Sequence, residues 1–221
     1  MNKTVVISGA SSGLGLAISE AISEKFDVIG LGRRPLTKKL RNSHYIQIDF
    51  SEKEAVINLT SRQKEIIKNA DILINNAGVF FEGEFNTFSE EEYTKVFAVN
   101  VFTCIELTKL YLQNRSEGRI ININSVAGLR PQVNQEYYSA SKFALRGFFE
   151  SLSKSISPKV KVSNIYPAGI NTTLWDKHQV RPEQRNSFMD PVEVATFISS
   201  IIALPNSINL NEIHMHPINE I

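Results

Sequence analysis

Tyr138 and Lys142 stand four residues apart in the stretch EYYSASK, a spacing that suits acid–base chemistry. Residues four apart share one face of a helix, so both side chains can approach one substrate. The phenol of a free tyrosine has a pKa of about 10, and a nearby cation favours the phenolate. We therefore expect Lys142 to lower the pKa of Tyr138, which would exchange a proton with an alcohol or a reduced carbonyl. Taken alone, such a pair is also typical of an ordinary solvated helix face.

Tyr137 and Ser125, which lie close to this pair in the sequence, are predicted to have different roles. Tyr137 is five residues before Lys142, and the helical repeat of about 3.6 residues turns it roughly 100° away from Tyr138. We interpret Tyr137 as a pocket-wall or packing residue. Ser125 follows the apolar run RIININ (119–124) and lies thirteen residues before Tyr138. Its hydroxyl can hydrogen-bond a reacting oxygen, so Ser125 is predicted to act beside Tyr138.

The segment SGASSGLG, residues 8–15, follows the β-branched run TVVIS. Its glycines allow a tight strand-to-helix turn, and a helix that begins near Gly13 offers free N–H groups and a positive dipole end to a phosphate. The position after a first strand and before an amphipathic helix favours the phosphate loop of a dinucleotide site over a plain tight turn. The residues assigned to this loop are Gly9, Ser11, Ser12, Gly13, Leu14 and Gly15.

The second strand-like run ends in GLGRRP, where the adenosine ribose of a dinucleotide is expected. A free ribose 2′-hydroxyl favours an acidic residue at this strand end, and a 2′-phosphate favours arginine. Gly32 leaves space, and Arg33 and Arg34 can hold a phosphate, so NADP(H) is predicted to be preferred over NAD(H). The alternative is two solvated surface arginines. After the third strand, Asp49 and Phe50 could meet the adenine edge, or Asp49 could cap the next helix.

Strand-like and helix-like segments alternate along the whole chain. Helices are predicted from Leu14 to Phe26, from Ser51 to Lys68, from a Ser89–Glu92 capping box onward, from Tyr137 to about Ser155, and from the Asp190–Pro191 start. Strands are predicted at 4–8, 27–32, 44–48, 71–75, 119–124, 160–166 and near 211–215. This alternation predicts a single α/β domain over residues 1–221, a Rossmann-type doubly wound parallel sheet of about seven strands with helices on both faces. In such sheets ligands bind beyond the carboxyl ends of the strands.

Five motifs fall at those strand ends or on those helices: SGASSGLG, NNAG (75–78), Asn100 in AVNVF, Ser125 with YSASK, and YPAGINT (166–172). Together they resemble the short-chain dehydrogenase/reductase (SDR) family from Thr4 to about Pro217, with Ser8 where threonine is usual and Ala168 at a usual glycine. The resemblance implies a catalytic set of Ser125, Tyr138, Lys142 and Asn100. It also implies that Lys142 and Tyr138 meet the nicotinamide ribose, and that the cofactor contacts Asn76, Ala77, Gly78, Pro167, Ala168, Gly169, Ile170 and Thr172.

The role of Asn100 and the substrate side are open at this stage. The resemblance implies that Asn100 holds a water linking Lys142 to solvent, and the alternative is that its amide binds backbone groups in a helix kink. It also implies that a segment at about 172–189 covers the substrate, with Val133, Tyr137, Leu174 and Trp175 near the pocket mouth. Trp175 is equally well explained as a packing anchor. The aromatic residues after NNAG could pack or line a pocket.

Charge and composition exclude several classes of function. The formal net charge of +1 gives the protein no strong electrostatic attraction to nucleic acid or to an anionic membrane. The single cysteine, Cys104, excludes an internal disulfide and fits a reducing cytoplasm. No apolar run is long enough for a secretory leader or a membrane span. His214 and His216 lack further ligands of suitable spacing, so no metal is predicted. The resemblance implies a homodimer or homotetramer through the helices that contain Cys104 and Tyr138.

The predicted function is an NADP(H)-dependent oxidoreductase that interconverts a carbonyl and a secondary alcohol by hydride transfer. Tyr138 is the general acid or base, and the partner is a small-molecule substrate. Reduction is the favoured direction only because NADP(H) pools usually serve reduction, which the resemblance implies. The alternative is a dinucleotide-binding sensor or scaffold without turnover. The presence of Ser125, Tyr138 and Lys142 together argues against that alternative.

Overall fold

The computed structural model describes residues 2–34, 40–52, 54–113, 115–176, 178 and 182–218. Seven strands form one sheet in the order β3-β2-β1-β4-β5-β6-β7, and every neighbouring pair is parallel. The strands are β1 Thr4–Ser8, β2 Asp27–Gly32, β3 Ser43–Gln47, β4 Ile72–Asn75, β5 Gly118–Ile123, β6 Val160–Pro167 and β7 Glu212–Met215. The strand order reverses between β1 and β4, the kind of switch point at which doubly wound sheets bind ligands.

Helices connect most of the strands and cover both faces of the sheet. They are α1 Gly13–Ile22, α2 Ser61–Asn69, α3 Glu90–Phe97, α4 Thr103–Leu112, α5 Glu136–Ile156, α6 Pro182–Asn186 and α7 Pro191–Ile202. A π-helical turn, Ala98–Phe102, joins α3 to α4 without a break. None of the helices in the described ranges is long and apolar enough to span a bilayer.

The alternation of side chains along β1 explains the two layers of helices. Val6 packs in one core cluster with Leu107 of α4 and Phe149 of α5. Val5 points to the other face and packs with Ile18 of α1 in a second cluster, which also contains residues of α7. Successive side chains of a strand face opposite sides of a sheet, so an all-apolar strand needs cover on both faces. The predicted doubly wound parallel sheet with helices on both faces is confirmed.

The predicted helix over residues 51–68 is wrong in its first half. Turns occupy the described residues before Thr60, and α2 begins at Ser61. The Asp49 carboxylate accepts hydrogen bonds from the N–H (2.9 Å) and hydroxyl (2.7 Å) of Ser51, which makes a local turn. Glu54 has a φ of 62°, which is incompatible with a right-handed helix. Thr60 and Gln63 then form a capping box that starts the helix. Asp49 therefore does not cap a helix.

The other predicted helix starts agree with the structure. The Glu92 N–H donates to the Ser89 hydroxyl at 3.2 Å, and the Ser89 N–H donates back to the Glu92 carboxylate at 2.9 Å, as the capping box predicts. Asp190 caps α7 by accepting from the Val192 N–H at 2.7 Å. These two caps determine where the polypeptide turns into the helices on either side of the candidate site.

Candidate functional site

Ser125, Tyr138 and Lys142 meet at the carboxyl edge of the sheet. Ser125 follows β5 and accepts from the Ala127 N–H at 3.1 Å, which holds its hydroxyl at the start of a short turn. Tyr138 and Lys142 lie one turn apart on α5, and the Lys142 Nζ is 5.6 Å from the centre of the Tyr138 ring. The Lys142 Nζ also donates to the carbonyl of Ile123, the last residue of β5, at 3.2 Å. The sheet edge and α5 thus bring together the three residues that the sequence predicted to act together.

Burial dominates the electrostatics of this group. It raises the pKa of Tyr138 to about 12, and the nearby Ser125 side chain opposes the shift. Burial lowers the pKa of Lys142 to about 8, and Cys104 opposes that shift. The sequence predicted a lowered pKa for Tyr138, and this direction is wrong for the structure because desolvation disfavours the phenolate more strongly than its neighbours stabilise it. Tyr138 is therefore a neutral phenol at neutral pH.

Asn100 lies in the π-helical turn and joins two parts of the site. Its Oδ1 accepts from the Val79 N–H at 2.8 Å, and its Nδ2 donates to the Val79 carbonyl at 3.0 Å. The Nδ2 also donates to the Ser141 hydroxyl at 3.1 Å, and Ser141 donates to the Tyr138 carbonyl at 2.7 Å. The backbone groups that this amide binds belong to the loop after β4 rather than to the helical turn itself, and the water-holding role that the resemblance implies stays a prediction. The π-helical turn itself is a feature frequently found at functional sites.

The glycine loop forms a cradle next to this group. Gly9 has a φ of 72°, and a Cβ on Gly15 would lie only 2.2 Å from the Gly9 carbonyl oxygen. Glycine is required at these two positions by conformation and by space. The Ser8 hydroxyl accepts from the N–H groups of Asn76 and Ala77, both at 3.0 Å, so NNAG is tied to the loop.

The N-terminus of α1 is free to meet an anion. Within the described chain, the N-cap residue Ser12 makes no side-chain hydrogen bond to the first turn of α1. The N–H groups of that turn are therefore open to a ligand, and the helix dipole favours negative charge there. A Cβ on Gly13 would lie 3.2 Å from Thr172, so the segment after β6 closes against the same loop. This cradle fits the pyrophosphate of a dinucleotide.

The residues predicted to hold the adenosine end are only partly brought together. Arg33 and Arg34 are exposed directly after β2. Arg33 and Asp49 line one cavity of about 460 Å³. Burial tends to raise the pKa of Asp49. Hydrogen bonds from Ser51 and the charge of Arg33 outweigh burial, so the pKa of Asp49 is lowered. Phe50 is 6% exposed and packs in the core, so its side chain does not lie at an adenine edge.

Backbone hydrogen bonds hold both ends of the segment after β6, and the Arg185 side chain adds bonds to Asn171 and Thr172. The Ala168 N–H donates to the Met215 carbonyl at 2.8 Å, and the Met189 N–H donates to the Gly169 carbonyl at 2.9 Å. A Cβ on Gly169 would lie 2.4 Å from the ring of Phe188, which leaves room for no side chain. The end of the predicted substrate-covering segment is therefore fixed to the predicted nicotinamide side. Of that segment, residues 177 and 179–181 lie outside the described residues.

A cluster of rings covers Tyr138. The Phe80 ring meets Tyr138 edge-on at 4.9 Å, Trp175 at 5.0 Å and His178 at 4.6 Å, measured between ring centres. Phe188 lies 5.0 Å from Trp175. Trp175 also donates from its indole N–H to the Ile170 carbonyl at 2.9 Å, so it anchors the packing of this segment, and its place at the pocket mouth stays a prediction. The sequence left the role of Phe80 open and carried no signal for His178.

The other residues predicted near the pocket mouth do not join this cluster. Tyr137 stacks with Tyr93 at 5.1 Å and contacts Phe88 at 5.1 Å and Phe85 at 5.7 Å, an aromatic cluster of its own. It is a packing residue here. Val133 is 86% exposed and Leu174 is 38% exposed. Among the described residues there is no cluster of three or more His, Cys, Asp or Glu side chains that could hold a metal ion.

Comparison with known proteins gives one consistent family. A family model for short chain dehydrogenase matches residues 3–183. A 3-ketodihydrosphingosine reductase of Bacteroides thetaiotaomicron is 31% identical over 185 residues, which are 80% of this chain and 67% of that protein.

Two solved structures extend the likeness to the whole fold. A 4-hydroxyisoleucine dehydrogenase complexed with NADH is 27% identical, covers 98% of both chains and has a TM-score of 0.83. An alcohol dehydrogenase of the archaeon Thermococcus sibiricus, complexed with 5-hydroxy-NADP, has a TM-score of 0.84, with 99% of this chain and 97% of that chain covered. At 21% identity the second likeness shows the fold alone. The chain belongs to the short-chain dehydrogenase family, oxidoreductases that use a nicotinamide cofactor.

Proposed function

We propose that this protein is an NADP(H)-dependent oxidoreductase that interconverts a carbonyl compound and a secondary alcohol, with Tyr138 as the general acid and base. The observation that carries the proposal is the convergence of Tyr138 with Ser125 and Lys142 at the sheet edge, beside a glycine loop shaped for a dinucleotide. Ligand sites of doubly wound sheets lie at this edge.

Tyr138 is the proton donor in the reductive direction. The chemistry supplied by bound NADPH is a hydride for the carbonyl carbon, and the carbonyl oxygen then needs a proton. Burial raises the pKa of Tyr138 to about 12, so the phenol carries its proton at neutral pH and can give it to that oxygen. The nearby Ser125 hydroxyl can hydrogen-bond the same oxygen as its negative charge develops. A protonated phenol is the form that the reductive direction requires.

Lys142 stabilises the phenolate that Tyr138 becomes after it gives up its proton. Its pKa is lowered to about 8 by burial, so most of its ammonium groups are still protonated at pH 7. The positive charge favours the phenolate that remains after proton transfer. An ammonium has three donors, of which one is used on the Ile123 carbonyl, and the others are free for the phenolate and a ribose hydroxyl.

Arg33 and Arg34 support the preference for NADP(H) over NAD(H). Both follow the end of β2, and both are exposed. Gly32 at that strand end offers no carboxylate for a free ribose 2′-hydroxyl. Guanidinium groups bind phosphate with two parallel hydrogen bonds, which suits a 2′-phosphate.

The ring cluster over Tyr138 supports a substrate with a flat apolar group beside its carbonyl. Phe80 is buried against Tyr138, and the partly buried Trp175 lies 5.0 Å from Phe80 between ring centres. Aromatic pairs prefer such offset and edge-on arrangements, and a planar substrate group can take the same contacts. The covering role of the segment at 172–189 belongs to this part of the proposal.

Assembly and location are part of the same proposal. Phe102 is 60% exposed and Phe143 is 38% exposed, on the helical stretches that also contain Cys104 and Tyr138. Exposed aromatic side chains on these helices support a homodimer or homotetramer. The free buried thiol of Cys104 suits the reducing cytoplasm. Light scattering of the purified protein tests the oligomeric state.

The proposed activity is tested by following NADPH and NADH consumption against a panel of ketones, aldehydes and 3-oxoacyl thioesters. We expect turnover with at least one flat or aryl ketone and a higher kcat/KM with NADPH. A clear preference for NADH contradicts the cofactor assignment. Tight cofactor binding without turnover of any carbonyl or alcohol in the panel contradicts the enzyme proposal and favours a dinucleotide-binding sensor or scaffold.

A further inference from the structure

Tyr45 of β3 lies along the glycines of the neighbouring strand β2. Tyr45 and Gly30 are register partners, and a Cβ on Gly30 would lie 3.0 Å from the Tyr45 ring. A Cβ on Gly32 would lie 2.6 Å from the Tyr45 hydroxyl oxygen and 3.4 Å from the Ser11 hydroxyl oxygen. The ring therefore runs over β2 toward the carboxyl edge, and its hydroxyl reaches the strand end where Arg33 and Arg34 follow.

The hydroxyl of Tyr45 is buried, and within the described chain its proton finds no acceptor. A buried O–H group without an acceptor is uncommon and destabilises the folded state, so it calls for an explanation such as a ligand. Burial raises the pKa of Tyr45, whereas a hydrogen bond from the Ser11 hydroxyl to the phenol oxygen and the charge of Arg34 oppose the shift. The phenol is thus a neutral donor, and its nearest polar neighbours are residues of the proposed cofactor site.

We propose that the Tyr45 hydroxyl donates a hydrogen bond to the 2′-phosphate of NADP(H), together with Ser11 and Arg34. This inference rests on the proposed NADP(H) preference and names Tyr45 as a residue that increases the preference for NADP(H) over NAD(H). A 2′-phosphate offers only acceptor oxygens to a phenol, and a charged acceptor makes the stronger hydrogen bond. A free 2′-hydroxyl in the same place lacks that charge. Tyr45 is therefore a specificity residue that sequence spacing does not reveal.

Tyr45 also acts against NAD(H) by limiting what can stand at position 32. An acidic residue at this strand end recognises the free 2′-hydroxyl. Any Cβ at position 32 would meet the Tyr45 hydroxyl at 2.6 Å, closer than carbon and oxygen normally approach. The pair of Gly32 and Tyr45 thus favours the phosphorylated cofactor in two ways, by attraction to the phosphate and by exclusion of a carboxylate.

The first test measures binding without turnover. Wild-type protein and Tyr45→Phe are titrated by calorimetry with adenosine 2′,5′-bisphosphate, adenosine 5′-monophosphate, NADPH and NADH. We expect Tyr45→Phe to weaken the two 2′-phosphorylated ligands by about tenfold, and the other two by less than about twofold, since a hydrogen bond to a charged group is lost. His44→Gln is the matched control, because His44 is exposed and adjacent on the same strand.

The outcomes separate this inference from the proposed function. Equal affinity of wild-type protein for NADPH and NADH contradicts the proposed NADP(H) preference itself. A wild-type preference for NADPH that Tyr45→Phe leaves unchanged contradicts only the role of Tyr45. Equal weakening of all four ligands by Tyr45→Phe also contradicts it, since it indicates a structural role. Thermal unfolding of each variant shows whether the fold is retained.

A second test uses the exclusion at position 32. Gly32→Asp is expected to weaken both NADPH and NADH binding, because the new side chain collides with Tyr45. The double variant Gly32→Asp/Tyr45→Val removes the collision, and we expect it to bind NADH at least about tenfold more tightly than Gly32→Asp does. If Gly32→Asp alone binds NADH as tightly as the double variant, Tyr45 does not exclude a side chain from position 32.

Discussion

Asn100 and Val79 hold each other by two hydrogen bonds, from the Val79 N–H to Oδ1 at 2.8 Å and from Nδ2 to the Val79 carbonyl at 3.0 Å. Through Ser141 the same amide reaches the backbone of Tyr138. One side chain in a π-helical turn therefore links the loop after β4 to the helix that carries the proposed proton donor. The position of Tyr138 depends on residues from three separate parts of the chain.

Replacing Asn100 tests this linkage. Asn100→Ala leaves the Val79 N–H and carbonyl without partners, and we expect a loss of about 2–4 kcal/mol in the free energy of unfolding. Asn100→Asp keeps an acceptor for the Val79 N–H but loses both donated bonds and buries a carboxyl group against the Val79 carbonyl, so its loss should be at least as large. Urea denaturation measures both variants. Equal stability of Asn100→Ala and the wild type would show that the linkage contributes nothing.

The Asn100 linkage also shows what sequence patterns can and cannot predict. The strands were predicted to within one or two residues, because apolar β-branched runs end where glycine, asparagine or serine begins. Ser125, Tyr138 and Lys142 were recognisable as a set because they accompany the glycine loop and the other motifs that resemble the short-chain dehydrogenase/reductase family. The partners of Asn100 and the ring contacts of Phe80 come from segments that are distant in sequence, and only the fold brings them together.

Two predictions made from the sequence are wrong, the first half of the helix over 51–68 and the lowered pKa of Tyr138. Both have local causes that the spacing of residues in the sequence does not reveal. The first half of the predicted helix over 51–68 is replaced by a turn, since Asp49 binds Ser51 and Thr60 caps the helix later. The lowered pKa predicted for Tyr138 assumed a solvated pair, whereas burial raises it. Tyr45 was missed because its contact with Gly32 depends on the register of two neighbouring strands.

Tyr138→Phe removes only the phenolic hydroxyl. We expect kcat for carbonyl reduction to fall by about 10²–10⁴-fold, since positioned proton transfer contributes this much. Cofactor affinity, measured by the fluorescence of NADPH on titration, should change little because the ring still packs against Phe80. Tyr137→Phe is the matched control, and its packing cluster keeps the ring stacked with Tyr93. Full turnover by Tyr138→Phe would remove Tyr138 from the mechanism.

Lys142→Met should make the protein more stable and inactive at the same time. Burial lowers the pKa of Lys142 to about 8 in the folded state from the ordinary lysine value of 10.5, so folding disfavours its charged form. Between these two values the unfolded chain binds more protons, and wild-type stability rises with pH. The advantage of the variant is therefore complete below pH 8, with an expected size of about 1–3 kcal/mol, and it disappears as pH rises toward 10.5.

Urea denaturation at pH 7 and at a pH near 10 measures this difference. Lys154→Met on the exposed side of the same helix is the matched control for replacing a lysine by methionine. Loss of stability in Lys142→Met at pH 7 would mean that the ammonium contributes more through its bond to Ile123 than burial costs it. Turnover should be lost in either case, because the charge that stabilises the phenolate is absent.

Trp175 is the residue that best tests the proposed substrate class, because it belongs to the ring cluster and to the segment proposed to cover the substrate. Trp175→Phe keeps a ring beside Phe80 but loses the indole bond to the Ile170 carbonyl, and Trp175→Ala removes both. For an aryl ketone we expect KM to rise about tenfold in Trp175→Ala and by less than about threefold in Trp175→Phe, since a ring contact and apolar burial are lost only in the first.

For a small aliphatic ketone both variants should keep the wild-type KM, because such a substrate does not reach the ring cluster. An equal loss with both ketones would identify Trp175 as a packing anchor only, and the preference for flat apolar substrates would then have to come from Phe80.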